Sequence, residues 1–281
     1  MRHMIKDALQ IFLETQFPNS KIEFIGEGWS STAFIVDDKI IRFPKGQIEE
    51  YKKEAAITNA VRNQVNVEIP EITIVEDQQY PYAIHKILPG KTWNIREVKK
   101  LDTKTRNLLI KDIAEFLHSV HQIKNIPGLI AEKPNIIAFQ DIEPFIKNHF
   151  SQNEISKLYK EYETANARNI KDITFIHGDF SGYNSLVDEN HRLIGVFDWV
   201  NCSFGERTID FHRFYNAPDF LKDISKEYEN LSGISIDIER IREIRLIDAL
   251  TAAYWINADK SLADMVDGEM KWIIASLRGF L

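Results

Sequence analysis

Apolar residues recur along this chain at two periods, and the period changes near residue 90. Between residues 4 and 16, Ile5, Leu9, Phe12 and Leu13 fall at helical spacing and mark one buried face. Pro18-Asn19-Ser20 closes that helix. Three short strand patterns follow: Lys21 to Gly26, Ala33 to Val36 and Lys39 to Phe43, the last two joined across Asp37-Asp38. Gln47 to Gln64, dense in Glu, Lys and Ala, reads as helix. Glu71 to Val75 and Tyr80 to Leu88 read as further strands around Glu76-Asp77-Gln78-Gln79. Beyond Pro89-Gly90 the pattern turns helical. Leu109, Ile113, Phe116, Leu117 and Val120 predict a helix over 105–123, and later helices are predicted over 217–231, 237–259 and 262–281. Phe175-Ile176 and Leu193 to Phe197 interrupt them as short strands, with Asp188-Glu189-Asn190 as a turn. Strands first and helices afterwards predict an α+β architecture. Its expected parts are a β-rich N-terminal lobe over 1–90 and a larger helical C-terminal lobe over 91–281, with a cleft between them for a nucleotide.

Composition narrows the picture. With 281 residues, 44% apolar and 27% charged, the chain has ample material for a core. No stretch reaches the ~18 uninterrupted apolar residues of a membrane span, and the first residues lack the apolar run of a secretory signal. The lone Cys202 excludes an intrachain disulfide framework and fits a reducing cytoplasm. A net charge of −7 argues against a nucleic-acid partner and suits a cationic small molecule. No membrane or protein partner is implied.

The densest chemistry lies in His177-Gly178-Asp179, with Asn184 five residues beyond the aspartate and Asp198 ending the strand-like run Gly195-Val196-Phe197. Phosphoryl transfer needs an acceptor hydroxyl held in line, a carboxylate near its proton, and oxygen ligands for Mg²⁺. Asp179 suits the catalytic carboxylate, and Asn184 and Asp198 suit the metal. His-Gly-Asp-x-x-x-x-Asn followed by Phe-Asp-Trp resembles the aminoglycoside phosphotransferase family, antibiotic kinases that share the protein-kinase fold. The resemblance runs over nearly the whole chain and includes Leu-His-Ser-Val-His at the end of the 105–123 helix. It implies a bilobal kinase-like fold and transfer from ATP or GTP, with Mg²⁺, to a hydroxyl of an aminoglycoside. In such loops the histidine braces the backbone.

Upstream, Gly26-Glu27-Gly28-Trp29-Ser30-Ser31 sits between two strands, and Gly26, Gly28 and Ser30 are candidates to cradle phosphate. A third glycine near Ser31 is missing. The resemblance implies a phosphate-gripping lysine where this chain has Arg42, with Lys45 as the competing candidate. Glu54 is the expected partner of that cation, and Glu50 lies one turn earlier on the same face. Tyr82 to Gly90 resembles the interlobe hinge, where His85 and Ile87 are expected to offer a carbonyl and an N–H to the purine. For the acceptor, Glu206, Asp219, Glu227 and Trp255 are candidates, with Asp223, Asp259, Asp264 and Trp272 as further acidic or aromatic possibilities, and Asp210 reads as a brace. A macrolide kinase shares the fold; its arginine at the strand position favours that rival, whereas Asn184 favours the aminoglycoside enzyme. A kinase of choline, homoserine or a sugar-like metabolite, and a silent nucleotide-binding module, remain as alternatives.

Overall fold

The computed structural model describes residues 2–28, 31–127, 129, 136–170, 172–258 and 266–281. In chain order, α1 (Arg2–Gln16) leads into β1 (Ile22–Glu27), β2 (Ser31–Val36) and β3 (Lys39–Pro44). Then come α2 (Ile48–Val61), β4 (Thr73–Val75), β5 (Tyr82–Lys86), α3 (Ile95–Val98) and α4 (Thr103–Gln122). After α5 (Phe139–Ile146) and α6 (Gln152–Ala167) lie β6 (Ile173–Ile176), β7 (Ser185–Val187), β8 (Leu193–Val196) and β9 (Ser203–Glu206). A 3₁₀ helix (Arg207–Phe214) and α7 (Pro218–Ser232), α8 (Ile238–Ala258) and α9 (Val266–Arg278) complete the chain. The α+β class and the kinase-like succession of strands and helices are thereby borne out.

Contacts gather the chain into two compact units, one of residues 1–129 and 177–202, the other of 130–176 and 203–281. The units do not follow the change of period at residue 90. In the first, an antiparallel sheet of order β1-β2-β3-β5-β4 has two differently covered faces. Leu9, Phe12 and Leu13 of α1 pack against Phe34, Ile41, Phe43 and Tyr82. On the other face Tyr51 and Ala55 of α2 meet Ala83 and Ile72. Adjacent strand residues point to opposite faces, so Tyr82 and Ala83 serve different cores. The His177–Cys202 segment belongs to this unit too: β8 is anchored to α4 by Arg192, which binds Asp112 through two 2.6 Å bonds.

The second unit is a helical body around Ile142, Leu158, Tyr162, Leu250 and Ile273, all buried. Two of its helices, α5 and α6, lie where no element was expected. The start of α6 was legible: Ser151 and Glu154 form a reciprocal capping box. The strand β9, paired with β6, was also unexpected.

Candidate active site

Backbone geometry explains the glycine of His177-Gly178-Asp179. Gly178 has φ 85°, and a Cβ there would lie 2.1 Å from the Asn201 carbonyl oxygen. Only glycine suits that position. His177 is fully buried against Trp199, ring centroids 4.6 Å apart. The Asp179 N–H donates to His177 Nδ1 at 3.3 Å, which leaves Nε2 to donate to the Phe197 carbonyl at 3.1 Å. The ring thus ties the loop to the strand ahead of Asp198, the bracing role expected of it.

The next turn is held from α3's side of the unit. Trp93 donates Nε1–H to Ser185 Oγ at 2.9 Å, and Ser185 donates to the Ser181 carbonyl at 2.7 Å. The Trp93 N–H also donates to the Gly182 carbonyl, and a Cβ on Gly182 would sit 2.2 Å from the Trp93 carbonyl oxygen. Sequence reading missed this buttress, because a lone Trp distant in sequence carries no motif.

Asn184 donates Nδ2–H to both the carbonyl and the carboxylate of Asp179, at 2.9 and 3.0 Å. Its amide protons are directed to Asp179, which leaves Oδ1 as the atom suited to a cation. The Phe197 N–H donates to the Asn184 carbonyl, extending the β7–β8 ladder and bringing Asp198 beside Asn184. Asp198 has φ 64°, a left-handed conformation that a non-glycine residue adopts at a cost. Among the described residues no group of three or more His, Cys, Asp or Glu side chains is arranged for a metal. An ion at Asn184 and Asp198 would rest on one amide oxygen, one carboxylate and the phosphates it accompanies, the sparse oxygen set Mg²⁺ takes.

Arg42 and Glu54 meet as expected, Nη2 to Oε2 at 2.5 Å, with Glu54 fully buried. Burial alone would lower the guanidinium, but the Glu54 charge and its hydrogen bond, aided by Asp198, hold its pKa above the ordinary arginine value. Glu54 also accepts the Trp199 N–H at 3.3 Å, so one carboxylate links β3 to the residue after Asp198. The Arg42 guanidinium stacks over the Tyr51 ring at 4.8 Å, a neighbour one helical turn before Glu54 that went unnoticed in the sequence. Lys45, the rival cation, points elsewhere: Nζ donates to the Gly28 carbonyl at 2.8 Å and pairs with Glu27 at 3.1 Å. Glu50 is exposed and lies under Gly46.

Of the glycine segment, Gly26 pairs with Ala33 and the Gly28 N–H donates to the Ser31 carbonyl. A Cβ at Gly26 would meet nothing within 4 Å, so its surroundings are open. Ser30 lies outside the described residues. At the hinge one expectation needs correcting. The Ile87 N–H is spent on the Asp38 carbonyl at 2.9 Å, which continues the β3–β5 register one pair beyond Lys39 and Lys86. By antiparallel alternation the backbone groups of His85 turn to Ile40, its partner in register. The His85 ring donates Nδ1–H to the Lys86 carbonyl at 2.8 Å, and burial holds its pKa below the usual histidine value.

The acceptor candidates are scattered in the second unit. Glu206 is no open carboxylate: Arg240 binds it through two bonds of 2.7 and 2.9 Å, and the side chain is only 12% exposed. Its place in β9 makes it part of the scaffold. Asp219 is exposed in the first turn of α7, and Glu227 is half-buried near Asn230. Trp255 is 45% exposed beside Tyr254. Trp272 lies under the Arg245 guanidinium. Asp210 is fully buried, while Asp259 and Asp264 lie outside the described residues.

The model of the phosphotransferase enzyme family matches residues 21–244. Among solved structures, the chain is similar to the GDP and kanamycin complex of APH(2")-IIia, with a TM-score of 0.77 and 17% identity over 97% of this chain and 98% of that one. The GDP complex of wild-type aminoglycoside 2'-phosphotransferase-IIIa matches with a TM-score of 0.77 and 16% identity, over 98% of this chain and 99% of that one. The macrolide 2'-phosphotransferase MphH from Brachybacterium faecium matches at 0.66 and 15% identity, over 96% and 97%. At these identities the likeness establishes the fold.

Proposed function

The chain belongs to the phosphotransferase enzyme family, and from that premise we propose that it moves the γ-phosphate of ATP or GTP to a hydroxyl of an aminoglycoside, conferring resistance. One observation carries the reading: the Asn184 side chain is bonded to Asp179, and the Asn184 carbonyl accepts the N–H of Phe197, the residue before Asp198.

Each residue then has a role. The Asp179 carboxylate orients the acceptor hydroxyl and takes its proton. Asn184 Oδ1 and the Asp198 carboxylate hold Mg²⁺, which when bound supplies charge neutralisation to the phosphate oxygens. Arg42, steadied by Glu54, binds the α- and β-phosphates, and its unpartnered Nε supports that role. Gly26 and Gly28 leave the backbone open to phosphate. For the purine, Leu88, the first residue past the spent Ile87 N–H, takes the place assigned earlier to Ile87. Pro89 has no N–H to offer.

The acceptor assignment rests on the net charge of −7 and on the kanamycin-bound relative. An aminoglycoside is a polyhydroxylated polycation, so its capture should weaken as salt rises. A macrolide, with one amine and a large apolar ring, would show a flatter response. The test is turnover of purified protein with Mg²⁺ and ATP or GTP, using kanamycin and gentamicin beside a macrolide, read by mass spectrometry. Phosphorylated aminoglycoside is expected. Macrolide turnover alone would transfer the assignment to the macrolide class. Silence on both would favour a metabolite kinase or an inactive fold.

A further inference from the structure

The first unit contains a cavity of about 950 Å³ that the catalytic residues do not line. It is bounded by the end of α2, the loop that follows it, the ends of β4 and β5, and the start of β8. That size is ample for a small organic ligand. Strand parity sets the direction of its two lysines. Arg42 pairs with Ala83 in register and Lys39 pairs with Lys86. Positions 39 and 42 differ by an odd number, so the lysines leave the sheet on the face opposite Arg42 and Glu54. None of Gly26, Gly28, Arg42, Asp179, Asn184 or Asp198 contributes to the wall, although Leu88, given to the purine above, borders it together with His85 and Ile87.

The electrostatics of the wall are one-sided. Lys39 and Lys86 face each other across the ladder, both exposed, and neither forms an ion pair among the described residues. Like charges directly opposite in a sheet destabilise it unless something compensates them. The other charges of the wall do not. Arg62 and Glu71 neutralise each other at 2.7 Å, which leaves Glu68 alone against two lysines. The Glu68 backbone is clamped to β8, its N–H donating to Ile194 and its carbonyl accepting from Val196. Ile69, Ile84, Leu88 and Ile194 supply an apolar floor.

We propose that this cavity is a second ligand site, adjoining the nucleotide site at Leu88 but apart from the phosphate-binding and catalytic residues, for a small molecule with an apolar body and one anionic head set between Lys39 and Lys86. The apolar part gains by leaving water, and the head cancels the lysine repulsion. The proposal stands independently of the kinase reading, because nothing in it uses phosphoryl transfer.

Octanoate, octanol and octylammonium, which share a chain length and differ in the head, form the probe set. Binding to the full-length protein is followed by calorimetry and by amide shifts in two-dimensional NMR. Octanoate is expected to bind saturably, more tightly than octanol and with an affinity that falls with salt, shifting amides at Glu68, Ile87 and Ile194. Octylammonium is expected not to bind. The double substitution Lys39→Gln/Lys86→Gln should weaken octanoate about tenfold. Both lysines are exposed, so the variant should fold as the parent does, which its thermal unfolding checks. Saturating Mg²⁺ and nucleotide should leave octanoate bound. Absence of saturable octanoate binding, equal binding of octylammonium, an unchanged affinity in the folded double variant, or displacement by nucleotide would each overturn the proposal.

Discussion

Buried arginines are used in opposite ways in the two units. In the second, Arg240 engages all three guanidinium nitrogens: Nε and Nη2 on Glu206, Nη1 on Glu243 and the Ala165 carbonyl. Arg207 does the same with Asp172 and the Tyr228 hydroxyl. In the first, Arg42 gives Glu54 a single bond while its buried Nε has no partner. A buried unsatisfied donor costs ~1–3 kcal/mol, a cost that evolution removes from scaffolds and tolerates where a ligand completes the set. Asp198, held at a strained φ on the same network, fits that account. Of these three arginines, the two with every guanidinium nitrogen engaged sit in scaffold, and the one with an unpartnered Nε sits at the candidate site.

The largest effect that would break this contrast is at Asp179. Asp179→Asn preserves shape and the bond from Asn184 but removes the charge that takes the proton. Turnover should fall by about 10²–10⁴, with unfolding and nucleotide affinity close to the parent. Near-parental turnover in single-turnover assays would remove Asp179 from the chemistry.

Glu206 tests the saturated side. Glu206→Ala takes away the bidentate partner of buried Arg240 and leaves it Glu243 alone, so the cost should fall below the ~3–5 kcal/mol of a fully broken buried pair but stay above ~1 kcal/mol. Urea unfolding should register that loss, while the acceptor KM of the folded fraction stays put. A raised acceptor KM with unchanged stability would return Glu206 to the acceptor site.

At Arg42 the expected change is smaller and confined to nucleotide. Arg42→Ala should raise the nucleotide KM roughly ten- to a hundredfold, the worth of one or two charge-assisted bonds. Arg42→Lys should recover much of it, since lysine restores the charge beside Glu54 without the planar fork. If the lysine variant were as poor as the alanine one, the fork itself and its Nε would be the necessary element.

Much of this was legible because local chemistry was strong. Three alternations and an Asp-Asp turn predicted the β1–β2–β3 meander, and His-Gly-Asp with Asn184 and Asp198 marked residues that the fold joins by hydrogen bonds. The choice of Glu54 over Glu50 held because Glu50, on the same face but in the first turn of α2, lies exposed beside Gly46, whereas Glu54, one turn further in, is buried against Arg42. What failed depended on distant partners. Glu206 looked available because Arg240, its partner, lies 34 residues away on α8. The Ile87 N–H looked open because the length of the β3–β5 ladder depends on where the Asp37-Asp38 turn ends, not on residue 87 itself. Trp93 and Ser185 meet across 92 residues and left no local trace.

The smallest prediction separates the two cations near the glycine segment. Lys45 sits just beyond β3, and by charge alone it rivals Arg42 as a phosphate ligand. Its ammonium is already engaged, by the Gly28 carbonyl at 2.8 Å and Glu27 at 3.1 Å, in a setting open enough for solvent to screen it. Such partly exposed pairs contribute ~0–1 kcal/mol, so Lys45→Ala should change the nucleotide KM by no more than a few fold. Because Lys45 steadies the Gly28 turn rather than the phosphates, the loss should appear as faster amide exchange at Gly28 and Ser31. Arg42→Ala should leave that exchange alone. A nucleotide KM more sensitive to Lys45 than to Arg42 would reverse the assignment, and the unpartnered Nε of Arg42 would then no longer mark the phosphate site.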